Sequence, residues 1–273
     1  MSTHLIVSCV LLVYNSLMSW SSRKQTMYIG AIGGTLFVLI GIPLFLLLYH
    51  PASCTDGKKN QDEAGIDCGG SCQKICSFQI PEPIVKWSRA LSVQSNVYNA
   101  VAYIENPNVS FGAIQTPYIF RMYDAAGVLI SERKGRTFVP PGKVFAIFEP
   151  AIDVGERIPE RTVFEFMEAL DWKKMATAGD VLSVATFALT NETTSPRLEA
   201  TIANRSVRPV SDTEIVALIF DTENNTVGFS RTIVEDIPAS GSVGIVFTWP
   251  KPFLRKSARV EIVPRVIPQQ YGY

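Results

Sequence analysis

The sequence predicts a mainly β fold: two tandem immunoglobulin-like antiparallel β-sandwiches that follow one N-terminal transmembrane helix. Three observations support this prediction. An uncharged apolar segment lies near the N-terminus, four of the five cysteines are crowded just after it, and the rest of the chain alternates apolar and polar residues in short runs separated by turn residues. With 273 residues, the chain is long enough for two small domains with their own cores.

The charge of the chain is balanced, with 25 Lys and Arg against 25 Asp and Glu. A nucleic-acid-binding protein needs a basic face that neutralises phosphates, so this balance argues against nucleic acid as a partner. The first 50 residues hold two bases, Arg23 and Lys24, and no acid. The leader is therefore apolar, and the remainder is a polar, slightly acidic chain.

The segment Met27–Tyr49 contains 23 residues and no charge. At about 1.5 Å of rise per residue, such a helix reaches roughly 34 Å, enough to cross a hydrocarbon core of about 30 Å. Arg23 and Lys24 flank its N-terminal end. The positive-inside rule then predicts a single-pass protein of the plasma membrane, with a cytoplasmic N-terminus and extracellular or periplasmic C-terminal domains.

Two further features belong to the leader and the span. Leu5–Trp20 is a weaker apolar stretch that is short for a span and lacks the basic region and cleavage site of a signal peptide. Three interpretations stay open for it: an interfacial segment, a weak first helix, or a stretch that a later start at Met18 or Met27 would leave out. Residues 1–26 are interpreted as a cytoplasmic, weakly apolar leader. Within the span, Gly30 and Gly34 form the small-residue pattern that lets two helices approach closely. This pattern suggests a helix-mediated homodimer.

Residues 50–83 are predicted to form a cysteine-rich stalk. An even number of crowded cysteines just outside a membrane indicates two disulfides in an oxidising compartment, with three pairings open. The rival interpretation is a zinc site, but the gaps of thirteen, three and three residues do not form paired CxxC knuckles. The predicted disulfide cysteines are Cys54, Cys68, Cys72 and Cys76.

The same segment carries oxygen-bearing side chains at short spacing, with Gly57 and Gly65 among them. Such a loop is a candidate calcium site, although it does not follow the EF-hand order, and a solvated acidic turn is the alternative. No other cofactor is expected. The candidate ligands are Asp56, Asn60, Asp62, Glu63 and Asp67.

The cysteine segment resembles the C-x-D-G-x-x-N-x-x-E-x-G-x-D-C-G-G-x-C-x-x-x-C element of many bacterial surface and envelope proteins. The resemblance implies an exposed, disulfide-bonded spacer and no activity of its own. Gln61 stands where that family more often has glycine. The matching residues are Cys54, Asp56, Gly57, Asn60, Glu63, Gly65, Asp67, Cys68, Gly69, Gly70, Cys72 and Cys76.

The remainder is interpreted as a tandem duplication, with one sandwich in residues 84–175 and the other, with a short tail, in residues 176–273. Four anchors recur at offsets of 97 to 99 residues: Asn106 with Asn204, Asp124 with Asp221, Gly142 with Gly241, and Phe148 with Phe247. Each copy has the period-two alternation and the size of an immunoglobulin-like sandwich. Phe166–Met175 is expected to be a short helical connector.

These anchors resemble the FxLYD and WHy (late-embryogenesis-abundant-like) sandwich domains. The matching positions are Asn106, Tyr123-Asp124 and Gly142 in the first copy, and Asn204, Phe220-Asp221 and Gly241 in the second. The second copy departs slightly, because two residues rather than one separate its proline from its glycine. The resemblance implies a sandwich fold in an accessory or binding module, and no specific duty.

Catalytic chemistry is not expected. Both histidines, His4 and His50, lie in or beside the leader, so Ser–His and Cys–His catalysis are excluded from the remainder. Carboxylate pairs formed by Asp153, Glu156 and Glu160 suit glycoside hydrolysis in principle, but a solvated loop explains them more simply.

The sequence therefore predicts a non-catalytic, membrane-anchored extracytoplasmic binding or assembly module of the cell envelope. Its expected partners are membrane lipid together with other envelope proteins or wall polymer. The alternative is a structural stalk or adhesin that binds wall polymer or a neighbouring cell and is stiffened by calcium. An envelope glycan hydrolase is the remote alternative.

Overall fold

The computed structural model describes residues 20–48, 53–60, 62–72, 74, 76–175 and 181–267. The contacts within the chain divide it into two units, Met1–Asp67 and Cys68–Tyr273. The predicted weak apolar stretch Leu5–Trp20 lies outside the described residues except for its last residue.

The first unit contains the apolar helix. It is built from α1 (Trp20–Leu36), a π-helical turn (Phe37–Gly41) and α2 (Ile42–Leu48). Pro43 cannot donate a hydrogen bond to the preceding turn, and a locally widened turn is a common adjustment to this loss in membrane helices. Among the described residues this is the one helix long and apolar enough to cross a membrane, and the window Arg23–Phe45 has no buried share. The prediction of one N-terminal apolar helix is confirmed.

The second unit begins with the last three cysteines of the stalk and a 3-10 turn at Ser77–Gln79, and continues with antiparallel sheets. The first two sheets face each other across one core, to which Phe120 and Phe145 contribute fully buried rings. One sheet has the order β1-β2-β5, and the other has the order β4-β3-β6 with β7 beside β3. The strands are β1 (Ile84–Gln94), β2 (Val97–Glu105), β3 (Phe111–Tyr123), β4 (Leu129–Val139), β5 (Val144–Asp153), β6 (Arg161–Phe166) and β7 (Trp172–Lys174).

Two further sheets enclose a second core, in which Leu198, Ile215 and Phe247 are fully buried. Their orders are β12-β9-β8 and β11-β10-β13. The strands are β8 (Leu182–Thr190), β9 (Arg197–Asn204), β10 (Val210–Phe220), β11 (Thr226–Ile237), β12 (Ser242–Thr248) and β13 (Arg259–Val266). In chain order, β8 to β13 occupy the same sheet positions as β1 to β6. The predicted mainly β fold with antiparallel sheets is confirmed.

A third apolar cluster, the central core, lies between the two sandwiches. Val101 of β2 and Phe148 of β5 pack there with Leu218 of β10 and Phe229 of β11. These side chains point away from the core of their own sandwich, because alternate residues of a strand face opposite sides. Thus sheet β1-β2-β5 packs against sheet β11-β10-β13, and β2, β5 and β10 have buried residues on both faces.

The prediction of a helical connector at Phe166–Met175 is wrong. Phe166 ends β6, and Trp172–Lys174 forms β7, which pairs with β3 at Phe111–Ala113. The register of this pairing places Trp172 opposite Ala113, and Trp172 packs against the first core. Burial of this aromatic residue on a neighbouring strand outweighs a local helical pattern of only ten residues.

Candidate functional site

The four cysteines of the stalk are disulfide-bonded. Cys68 and Cys76 are bonded to each other, with their Cα atoms 5.0 Å apart, and both side chains are buried. The expectation of disulfide bonding is confirmed for this pair. A disulfide sulfur is not a thiolate, so these residues in this state cannot form the predicted rival, a zinc site.

The carboxylates of the candidate calcium loop hold the backbone of the loop itself. Both Asp67 carboxylate oxygens accept the Gly57 amide, at 3.1 and 3.0 Å. The buried Glu63 accepts the amides of Asn60 at 3.2 Å and of Asp67 at 3.3 Å through Oε2. These bonds connect the two ends of the loop between positions 57 and 67.

Asp56 has a similar role at the start of the loop. Its carboxylate accepts the Asn60 side-chain amide at 2.8 Å and the amides of Ser53 and Lys58 at 3.2 and 2.9 Å. The hydrogen bond from Asn60, followed by those from the two backbone amides, holds the pKa of Asp56 below its usual value. Asp62 is exposed. A calcium ion takes about six to eight oxygen ligands, and it would compete with these bonds for the same carboxylates.

Gly30 and Gly34 lie on an exposed surface of the helix. A Cβ added at either position would meet no atom within 4 Å. This surface has no neighbour among the described residues, so the predicted helix-mediated homodimer remains a prediction.

The repeated asparagines each fasten a loop at one end of a sandwich. Asn106 is buried at the end of β2, and its Nδ2 donates to the carbonyls of Phe111 and Pro140, both at 2.8 Å. Its Oδ1 accepts the Asn108 amide at 3.1 Å. The side chain therefore holds the β2–β3 loop to the β4–β5 turn.

Asn204 does the same in the second sandwich. Its Nδ2 donates to the carbonyls of Arg208 at 2.8 Å and Pro238 at 3.0 Å, and its Oδ1 accepts the Ser206 amide at 2.9 Å. Asn204 is also buried. Both asparagines use their side-chain polar atoms for hydrogen bonds inside the fold. Their role is therefore structural.

The repeated aspartates cap the β3–β4 and β10–β11 hairpins. Asp124 accepts the amides of Ala126 and Val128 at 3.0 and 2.9 Å, and Arg157 of the β5–β6 loop donates to it at 2.6 Å. These hydrogen bonds hold the pKa of Asp124 below its usual value, and the bond from the Val128 amide has the largest effect.

Asp221 is bound by the amides of Glu223 and Asn225 and by Arg255 of the β12–β13 loop, at 2.9, 2.8 and 3.0 Å. Neither arginine was predicted from the sequence. Arg157 and Arg255 are 98 residues apart, the offset of the other anchors, and that spacing was the available signal.

A buried polar cluster lies where the two sandwiches meet. Glu214 of β10 accepts hydrogen bonds from two arginines. Arg265 of β13 donates to its Oε2, and Arg231 of β11 donates to its Oε1 at 3.3 Å. Arg265 also reaches the first sandwich, where it donates to Thr137 Oγ1 at 2.7 Å and to the Phe138 carbonyl at 3.0 Å. One guanidinium thus joins both sandwiches.

The first sandwich contributes a second buried carboxylate. Tyr118 donates its hydroxyl hydrogen to Glu149 Oε1 at 2.5 Å, and Arg133 donates to Glu149 Oε2 at 3.1 Å. Burial and the bond to Glu149 raise the pKa of the Tyr118 hydroxyl. Both buried carboxylates are therefore paired. Such networks fix one relative placement of the packed elements, because a mispaired buried charge is costly.

Polar contacts and ring stacking surround the central core. Tyr103 of the first sandwich donates to Glu261 of the second, and Trp87 packs edge to face on Phe220 with ring centroids 6.0 Å apart. Arg259 lies over the same Phe220 ring at 3.8 Å. Burial, with the bond to Glu261, raises the pKa of Tyr103.

The carboxylates that were considered for glycoside hydrolysis are solvated. Asp153, Glu156 and Glu160 are all exposed at the end of β5 and in the β5–β6 loop. Asp153 Oδ1 accepts the Gly155 amide at 2.9 Å, which gives it a local role in the turn.

No protein-family model and no curated protein sequence matches this chain. Solved structures match it weakly. They include red sea bream transglutaminase (10% identity, TM-score 0.20, 68% of this chain and 32% of that one), the calcium binding domain CBD12 of CALX1.1 (12%, 0.21, 63% and 75%) and a beta-glucuronidase from glycoside hydrolase family 2 (10%, 0.19, 56% and 20%). The chain spans about a third of the transglutaminase, and none of these likenesses carries an argument about function.

Proposed function

We propose that this protein is a non-catalytic module of a cell envelope, anchored by its apolar helix, that presents two stacked β-sandwiches as one rigid body to a partner outside the membrane. The central core is the observation that carries this proposal. Val101, Phe148 and Leu218 are buried between the sandwiches, so a partner meets one fixed surface and not two domains on a flexible tether.

The helix and the stalk support a location of the sandwiches outside the cytoplasm. A disulfide at Cys68–Cys76 persists in an oxidising environment, which lies outside the cytoplasm. The helix directly precedes the stalk and has the length and hydropathy of a membrane span. Together these features support a single-pass anchor with the sandwiches on the extracellular or periplasmic side.

The contacts of the polar residues support a non-catalytic role. Asn106, Asn204, Asp124 and Asp221 hold loops, and the buried carboxylates at the junction are bound by arginine or tyrosine. An enzyme needs an acid, base or nucleophile that is aimed at a substrate pocket. The polar side chains considered above either hold the fold together or lie exposed.

The topology is tested first, on the full chain with a C-terminal tag. Intact cells are treated with a protease that does not cross the membrane, and the tag is then detected. Loss of the tag without lysis supports the anchored, outward-facing arrangement. A tag that is protected until the cells are lysed contradicts it.

The binding role is tested by cross-linking the tagged protein in its membrane and identifying what co-purifies. The matched variant replaces Met27–Tyr49 by an unrelated span. A defined set of envelope proteins that survives this replacement is expected if the sandwiches do the binding. Loss of the set upon replacement would show that the helix recognises the partners, and recovery of the protein alone would contradict an assembly role.

A stalk or adhesin is the second candidate, because the disulfide and the stacked sheets also suit a rigid spacer. Recovery of wall polymer in the same cross-linking experiment favours it. Chelation of divalent cations checks its calcium-stiffened form. Since Asp56, Glu63 and Asp67 already accept hydrogen bonds within the loop, we expect the melting temperature to be unchanged by chelator, and a clear fall would establish calcium as a ligand.

A further inference from the structure

Four asparagines of the chain begin the pattern N-x-[ST], which is the acceptor signal for N-linked glycosylation outside the cytoplasm. The pattern also arises by chance, so the surroundings of each asparagine decide whether an enzyme can reach its side-chain amide. The four positions are Asn108, Asn191, Asn204 and Asn224.

The fold makes two of these asparagines inaccessible. Asn204 is buried, and its Nδ2 donates to carbonyl groups of the β9–β10 and β11–β12 loops. The Nδ2 of Asn108 donates to the Pro81 carbonyl at 2.7 Å and to Asn106 Oδ1 at 2.8 Å. A saccharide on either nitrogen would replace a hydrogen that the fold uses. These two patterns are therefore not acceptor sites in the folded protein.

The other two asparagines lie in turns of the second sandwich. Asn191 is exposed in the β8–β9 turn, and Asn224 is exposed in the β10–β11 turn. Their patterns differ at the threonine, which is part of the acceptor signal. Thr193 is exposed, whereas Thr226 is only 6% exposed at the start of β11. Of the four patterns, the one at Asn191 alone has both its asparagine and its threonine exposed in the folded protein.

We propose that Asn191 accepts an N-linked oligosaccharide after the second sandwich has folded. The donor is an oligosaccharide on a lipid diphosphate, and the catalyst is an oligosaccharyltransferase. A bond forms between Asn191 Nδ2 and the anomeric carbon of the first sugar. The bond from that carbon to the diphosphate oxygen breaks, the lipid diphosphate leaves with the electron pair, and the amide nitrogen loses one proton to a base of the enzyme. This inference rests on the extracytoplasmic placement proposed above.

The surroundings of Asn191 suit a bulky polar group. The β8–β9 turn is bonded to the β12–β13 loop, because the Glu192 carbonyl accepts the Phe253 amide and Glu192 Oε2 accepts the Ser257 amide, both at 3.0 Å. Leu254 follows Phe253 in that loop and is 99% exposed. A saccharide on the adjoining turn has this apolar side chain within reach and would shield it from other molecules.

The test uses the full-length protein purified from the membranes of the cells that make it. Trypsin cleaves after lysine and arginine but not before proline, so the Asn191 pattern lies alone in the peptide of residues 175–197, and the Asn224 pattern lies in the peptide of residues 206–231. Mass spectrometry of the two peptides measures any added saccharide. We expect the added mass on the first peptide and none on the second. A saccharide on the second peptide would contradict transfer to the folded chain.

Three threonine variants separate the acceptor signal from the turn itself. Thr193→Ala destroys the pattern but keeps Asn191, whose φ of 56° is a left-handed conformation that asparagine adopts more readily than most residues. Thr193→Ser keeps the pattern. Thr194→Ala is the matched control, because it also keeps the pattern although Thr194 Oγ1 donates to the Asn191 carbonyl at 3.4 Å. We expect complete loss of the saccharide in Thr193→Ala alone.

Two results would overturn the proposal: an unmodified 175–197 peptide in the unaltered protein, or a saccharide that persists in Thr193→Ala. The protease test of topology is read separately. If the C-terminal tag is outside and the peptide is unmodified, this inference fails while the proposed placement stands. If the tag is protected until lysis, the placement itself fails.

Discussion

Replacing Leu218 by alanine tests whether the two sandwiches are stacked in solution. Leu218 lies on β10 with its side chain fully buried in the central core, not in the core of its own sandwich. If the sandwiches were separate, this side chain would lie on an open face and its truncation would cost little. The substitution therefore measures the junction and not the stability of one sandwich.

The expected cost follows from the burial. The truncation removes three buried carbon groups, worth about 0.8 kcal/mol each, and leaves a cavity that raises the loss to about 3 kcal/mol. Leu254 is the matched control because its side chain is 99% exposed. Leu254→Ala should change the free energy of unfolding by less than about 0.5 kcal/mol.

The assay is urea unfolding of the full-length protein in detergent, followed by tryptophan fluorescence. Trp172 packs on the first core and Trp249 on the second, so both sandwiches contribute to the signal. We expect Leu218→Ala to lower the urea midpoint of one shared transition without changing its slope. A loss below about 1 kcal/mol, or two separate transitions in the unmodified protein, would refute the stacked arrangement.

Three further predictions concern the loops and the junction. Asn204→Ala should destabilise the protein by about 3 kcal/mol in the same assay, because several buried polar partners lose their bonds; a loss under about 1 kcal/mol would contradict the fastening role. Gly135→Ala should cost about 2 kcal/mol, since the new Cβ would lie 2.6 Å from Tyr118 Cζ, whereas Gly244→Ala, with nothing within 4 Å, should cost less than about 1 kcal/mol. Because the folded pKa of Asp124 is depressed, its stabilising contribution is present above the unfolded pKa near 4 and is lost as the pH falls through the folded pKa. Asp124→Asn should therefore flatten the fall of the urea midpoint below about pH 4, and an unchanged pH profile would contradict this.

The sequence predicted the local structure well where the pattern has one physical cause. The span is predicted because lipid demands some twenty apolar residues in a row. Strands such as Arg197–Asn204 are predicted because one face is buried and the other is solvated, which forces a period of two. The repeat anchors were found as a pattern, but the bonds of Asn106 and Asn204 required coordinates.

The junction was missed, although its signal was present in the chain. Ile215–Phe220 is a run of six apolar residues, and its burial is complete on both faces of β10. An uninterrupted run of this kind indicates a strand that is covered on two sides. The pattern does not say what covers the second face, because the covering residues, such as Val101 and Phe148, lie more than sixty residues away in the chain. The buried pairing of Glu149 and Glu214 was not predicted either, because a single acid within an apolar strand interrupts the hydrophobic pattern and gives no indication of its partner.

The order of synthesis gives the central core a further consequence. The first sandwich is complete once Lys174 has been made, but the face that bears Val101, Ala146 and Phe148 is covered only by strands that end at Val266. Roughly 90 residues separate these points, which takes about 5 to 20 s at common rates of translation. Each nascent chain therefore has an uncovered apolar surface for that interval. Unless this surface is shielded from other chains until Val266 has been made, it favours aggregation.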